Sequence, residues 1–184
     1  MDVLTRDPAA VARLPWYVGA LSNLGAIMWC AAATILIFTG SLRAVRLNRP
    51  RDAQFMLHTG GLIALMLCDD LFLVHDHLLP GLFGIHEASM YAAYLVLGGL
   101  LSYGHWPRIW SISVFVPIWV GCCLAISIAI DLIDTRLPFF WRFQSIGYED
   151  AFKLLGTAGV LVCSIISARA CLVRVEALDG SADL

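Results

Sequence analysis

Apolar runs of about 20 residues recur along this chain, separated by short polar stretches, at roughly 16–40, 54–78, 86–104, 109–132 and 150–173. A helix needs ~20 residues to cross ~30 Å of hydrocarbon, so the pattern predicts five transmembrane helices. The short connections LPGLFGI and HWPR make neighbouring helices antiparallel. The expected fold is therefore an all-α integral membrane protein, a compact five-helix bundle forming a single domain over 1–184. The opening MDVLTRDPAAVAR lacks the basic segment, short apolar core and cleavage site of a signal peptide, so the first run reads as a retained helix.

Composition agrees with the pattern. Hydrophobic residues make up 60% of the 184 and charged residues 14%, with a mean hydropathy of +0.80. Ordinary soluble domains are about 45–50% apolar. The net charge of -2, without any Lys/Arg cluster interleaved with aromatics, excludes nucleic acid as a partner. Cys30, Cys68, Cys122, Cys123, Cys163 and Cys171 all fall in apolar runs without a CxxC spacing, as expected of small packing residues. Gly60, Gly61, Gly98, Gly99, Gly156 and Gly159 are candidates for close helix contacts. Pro117 predicts a kink in the fourth helix, and Asn23 an interhelical hydrogen bond.

Loop charge gives an orientation. Arg43, Arg46, Arg49, Arg51, Arg108, Arg169 and Arg174 fall on one side; Arg6, Arg13, Arg136, Arg142 and Lys153 fall on the other. By the positive-inside rule the N-terminus is expected outside and the C-terminus in the cytoplasm, as in a bacterial inner or plasma membrane.

Against this apolar background the stretch LCDDLFLVHDHLLPG, residues 67–81, stands out. It places Asp69, Asp70, Asp76, His75 and His77 at the external end of the second helix. Glu87 with His86 opens the third helix, Asp131 and Asp134 close the fourth, and Glu149 and Asp150 open the fifth. Charged side chains cost ~2.5–3.5 kcal/mol at the centre of a membrane helix, so adjacent carboxylates need protons, a cationic partner or a metal. Arg142 and Lys153 are the available cations, although Glu149 and Lys153 have the spacing of a local pair. At 100° per residue Asp69, Asp70, Asp76 and His77 share one arc of the second helix, while His75 joins them only if the helix unwinds before Pro80.

Mixed carboxylate and histidine donors suit Zn, Mn or Fe better than Ca or Mg. The expected metal ligands are Asp70, Asp76, His77, His75, His86, Asp131, Glu149 and Asp150. Asp69, Glu87 and Tyr91 are the expected catalytic groups, with Tyr94 on the same face. A bound water could then act as nucleophile in a hydrolase or transferase acting on a lipid or other lipophilic substrate. The aromatic segment LPFFWRFQSIGY, residues 137–148, could lie over such a site at the interface. The ExxH pairs of di-iron bundles, the histidine boxes of membrane desaturases and HExxH are all absent. Two other readings remain open on the sequence: an accessory subunit contacting partners in a larger membrane complex, and a two-haem electron carrier using His58, His105, His86 and His75 or His77.

Overall fold

Gly19 starts the first helix from a left-handed backbone, φ 77°, where a side chain would be strained. In the computed structural model, which describes residues 13, 15, 18–72, 74, 79–84, 87–112, 115–134 and 139–179, every regular element is helical. They are α1 Ala20–Ser41, α2 Arg43–Asn48, α3 Pro50–Phe72, α4 Leu79–Phe83, α5 Glu87–Gly104, α6 Trp106–Ile112, α7 Phe115–Asp134 and α8 Phe139–Asp179. Pro50 opens α3, where its missing N–H costs nothing. Pro117 falls in the first turn of α7, so the kink expected from it has no hydrogen bond to break.

The core follows helical spacing. Trp29, Ala32, Ala33 and Leu36 recur on one face of α1 and bury against Ala53, Phe55, Met56 and Ile63 of α3 and Cys171 and Val175 of α8. Small residues let the backbones approach. A methyl group added at Gly60 of α3 would stand 2.7 Å from Ile37 Cγ1 and 3.2 Å from Leu36 Cβ of α1. At Gly156 and Gly159 of α8 it would meet Leu124 and Val120 of α7, at 2.8 and 2.6 Å. Gly61, Gly98 and Gly99 have nothing within 4 Å, so half of the glycines read as close contacts serve elsewhere. The buried hydroxyls of Thr157, Ser164 and Ser167 donate to the carbonyls four residues back, which leaves this face of α8 small and internally satisfied.

α3 runs antiparallel to α1 and to α8, which run parallel to each other. The start of α1 and the Lys153 turn of α8 flank Asp70 near the end of α3, while Arg174 of α8 lines a pocket with Asp52 at the start of α3. α7 runs opposite to α8 along the Gly156 and Gly159 contacts. Between Asp52 and Asp70 lie ~27 Å of helix at ~1.5 Å per residue. The stretches Ala20–Ser41, Pro50–Phe72 and Tyr148–Ala177 are long and apolar enough to cross a membrane, and α7 holds a shorter apolar stretch, Phe115–Ile130. Large apolar side chains point outward, among them Leu95, Leu100, Phe115 and Trp119, as a lipid-facing surface requires. The protein is a helical, membrane-embedded chain.

Candidate functional site

Asp69 and Asp70 are adjacent on α3, so their side chains leave the helix about 100° apart and meet different neighbours. Asp70 turns toward α1 and α8, where Lys153 Nζ donates to its Oδ1. The two side chains are 15% and 39% exposed, so the pair sits at the margin of the bundle interior. Glu149 and Asp150, on the same part of α8, add their negative field to Lys153. Asp70, Asp150 and Lys153 line a small pocket with Ser22, Gly25, Trp29 and Thr157. Asp69 is 6% exposed and faces α5, where the buried Tyr94 hydroxyl lies within reach of its carboxylate without closing a well-aligned hydrogen bond.

The two adjacent carboxylates therefore have separate neighbours, and Lys153, one of the two available cations, is the partner of Asp70. Asp69 and Asp70, about 100° apart on α3, meet α5 and α8 respectively. Lys153 bonds across the interface to Asp70, while Glu149 on its own helix adds to the field around it. His75, Asp76, His77 and His86 lie outside the described residues, as do the side chains of Glu87, Asp131, Asp134, Arg142 and the aromatic segment. Tyr91 is half-buried on α5, while Asn23 is exposed on α1 rather than turned into the bundle. Among the described residues no three His, Cys, Asp or Glu side chains are grouped closely enough to hold a metal ion.

The opposite end of the bundle carries a second polar set. Arg108 Nε of α6 donates to Asp52 Oδ1 in the first turn of α3. His58 Nδ1 and His105 Nε2 share a hydrogen at 3.3 Å, and the His105 ring also packs on Phe55 with centroids 5.4 Å apart. Direct contact between these two rings differs from the opposite-face placement that a shared haem requires. His105 lies between α5 and α6; burial pushes its imidazole below the ordinary value, with His58 and Arg108 adding to the effect. The Asp52–Arg108 tie escaped the sequence reading. The signal was present, since both residues fall at the same predicted end, but only one basic residue among several reaches the carboxylate.

A helical bundle with long apolar spans and polar groups at both ends defines a membrane-embedded helical protein. The chain belongs to the family described as Domain of unknown function (DUF8692), which matches residues 1–167. No curated protein and no solved structure matches it.

Proposed function

We propose that the protein crosses the membrane five times, through α1, α3, α5, α7 and α8, with its N-terminus outside and C-terminus in the cytoplasm, and that its acidic end is the site of a metal-dependent membrane enzyme. The antiparallel run of the helices and the Asp52–Asp70 separation, close to a hydrocarbon thickness of ~30 Å, support the crossing. Arg46, Arg49, Arg51, Arg108, Arg169 and Arg174 at one end support the orientation.

The observation that carries the enzymatic reading is the inward turn of the carboxylates. Asp69 is buried, Asp70 nearly so, and Asp150 shares the Asp70 pocket. A surface that merely contacts a partner has no need to bury them at the cost of desolvation. In this reading Lys153 fixes Asp70, while Asp150, Asp76 and the histidines of 75–86 hold Zn, Mn or Fe, and Asp69, on the α5 side, serves the chemistry. Asp131 and Glu149 are further candidate ligands, and Glu87 and Tyr91 serve the chemistry. The substrate is a lipid or other lipophilic molecule entering from the bilayer, cleaved or transferred by metal-activated water or hydroxyl. Incubating the protein in lipid nanodiscs with Zn, Mn or Fe, and following lipid products by mass spectrometry, tests the activity. Complete recovery of every offered lipid with each metal would overturn it.

One observation favours a second reading. α5 makes few contacts with the other long helices and exposes Leu95, Leu97, Leu100 and Tyr103, a face suited to a partner subunit in a larger membrane complex. A single species at monomer mass in native membranes, detected by crosslinking, would count against it.

A further inference from the structure

Two imidazoles face each other where the α5–α6 corner meets α3. His58 Nδ1 and His105 Nε2 are 3.3 Å apart, with ring centres 5.6 Å apart and planes inclined by 56°. The rings therefore meet through their nitrogens rather than by stacking. A neutral imidazole carries one N–H and one lone pair, so the contact needs a single shared hydrogen. The same two nitrogens also meet the requirement of a metal ion. Two ligands on a tetrahedral ion with Zn–N bonds of ~2.0–2.1 Å lie about 3.3–3.4 Å apart. When an ion enters, the shared hydrogen moves to the outer nitrogen of its own ring, and a tilt of each ring brings both lone pairs onto the ion.

The surroundings suit such an ion. Phe55 packs on His105 with ring centroids 5.4 Å apart and limits the turn of that ring. Ligation needs a neutral imidazole, and burial, which holds His105 below its ordinary value, favours that form. His58 is exposed and His105 half-buried, so an ion can enter from solvent and water fills its remaining positions. Arg108 donates to Asp52, but its positive charge also reaches His105. That repulsion, with two protein ligands rather than three or four, makes the ion exchangeable. What the ion adds is a tie: α5 makes few contacts with the other long helices, and Leu101 and Ile109, on either side of His105, are only partly buried against the core.

We infer that His58 and His105 form a two-histidine site for a divalent zinc ion, which clips the α5–α6 corner onto α3. Imidazole nitrogen selects zinc over Mg and Ca, which prefer oxygen ligands. The site lies at the end of the bundle opposite the acidic cluster and does not depend on the chemistry assigned there. Being exchangeable, its zinc leaves during purification and binds again when zinc is supplied.

The test uses the purified full chain in mild detergent, stripped with EDTA and dialysed at neutral pH against rising free zinc. Wild type should bind an exchangeable zinc that His58→Gln and His105→Gln each weaken about 10-fold or more. His105→Cys, whose thiolate is also a zinc ligand, should retain it. His77→Ala should leave this zinc in place whatever metal the acidic end holds, which separates the two sites. The melting temperature should rise with zinc in wild type and not in the glutamine variants. On wild type alone, saturating zinc should protect both His58 and His105 from diethyl pyrocarbonate, as mapped by mass spectrometry, so a glutamine variant that does not fold leaves the test intact. Equal zinc binding in wild type and both glutamine variants, an adventitious ion only, overturns the site, as does modification of either histidine at saturating zinc.

Discussion

Lys153 of α8 donates to the Asp70 carboxylate of α3, joining the two helices through a charge pair at the acidic end of the bundle. Removing one member leaves the other partly desolvated and uncompensated. Breaking a fully buried pair costs ~3–5 kcal/mol, and solvent around Lys153 reduces that here to about 2 kcal/mol. Asp70→Asn and Lys153→Met should each lower the unfolding free energy by that amount. The double variant should recover most of it, because nothing charged is then stranded. Chemical denaturation in detergent micelles measures all three; additive losses in the double variant would show that the two side chains act separately.

The α1–α3 contact predicts a contrast between glycines. At Gly60 a new Cβ meets Ile37 Cγ1 at 2.7 Å and the Ile37 backbone nitrogen at 3.1 Å, so helices must part to admit it. Gly60→Ala should destabilise by ~1–3 kcal/mol, in the range of overpacked cores. Gly98→Ala adds a methyl where nothing lies within 4 Å and should be neutral or slightly stabilising through helix propensity. Thermal melts of the two variants side by side decide the matter, and similar shifts would mean that this helix contact is not as close as described.

At the basic end, the His58–His105 contact makes stability depend on pH. Burial first, then His58 and Arg108, hold His105 below its ordinary value, while the unfolded chain titrates near ~6.5. Over the interval between the two values the unfolded state binds more protons, so stability falls with falling pH. The contribution is intact above ~6.5, is lost as pH drops toward the folded value, and is constant below it. Asp52, the carboxylate at this end, is engaged by Arg108. Melting temperatures between pH 8 and pH 5 should fall more steeply for wild type than for His105→Phe. Parallel curves would remove His105 as the titrating group.

Most of the helical layout was legible because burial in lipid imposes one rule, length of apolar run, on every span. The predicted 16–40 and 86–104 lie within a few residues of Ala20–Ser41 and Glu87–Gly104. The fifth run, 150–173, lies within the apolar stretch Tyr148–Ala177, while the helix α8 itself extends back to Phe139 through an aromatic segment whose composition suits a helix and an interfacial strip equally. The short helices α2 and α6 were read as loops, since Arg-rich and Pro-containing connections leave no periodic signal over six or seven residues. At the candidate site, helical phase brought Asp69 and Asp70 inward together, but a difference of one residue sends them to separate partners. Which of Arg142 and Lys153 meets Asp70 depends on the packing of α8 against α3, and residue spacing within one helix carries no record of that.

Orientation is open to a direct test. With the N-terminus outside and five crossings, a fluorescent reporter fused after Leu184 should be active in the cytoplasm and an alkaline phosphatase fusion there inactive. Substituted cysteines at Arg46 and Arg51 should resist a membrane-impermeant maleimide in intact cells and react in inverted vesicles. Labelling of both in intact cells would invert the arrangement and move the carboxylate end to the cytoplasmic surface.

The central claim is that the carboxylates turned inward beside Lys153 belong to a metal site. Elemental analysis of the purified full chain, prepared without chelators, tests it most directly. Wild type should carry about one Zn, Mn or Fe per chain, lost in Asp150→Asn and in His77→Ala and kept in Arg46→Gln. A folded wild-type protein with no stoichiometric metal, after exposure to all three ions, would contradict the claim.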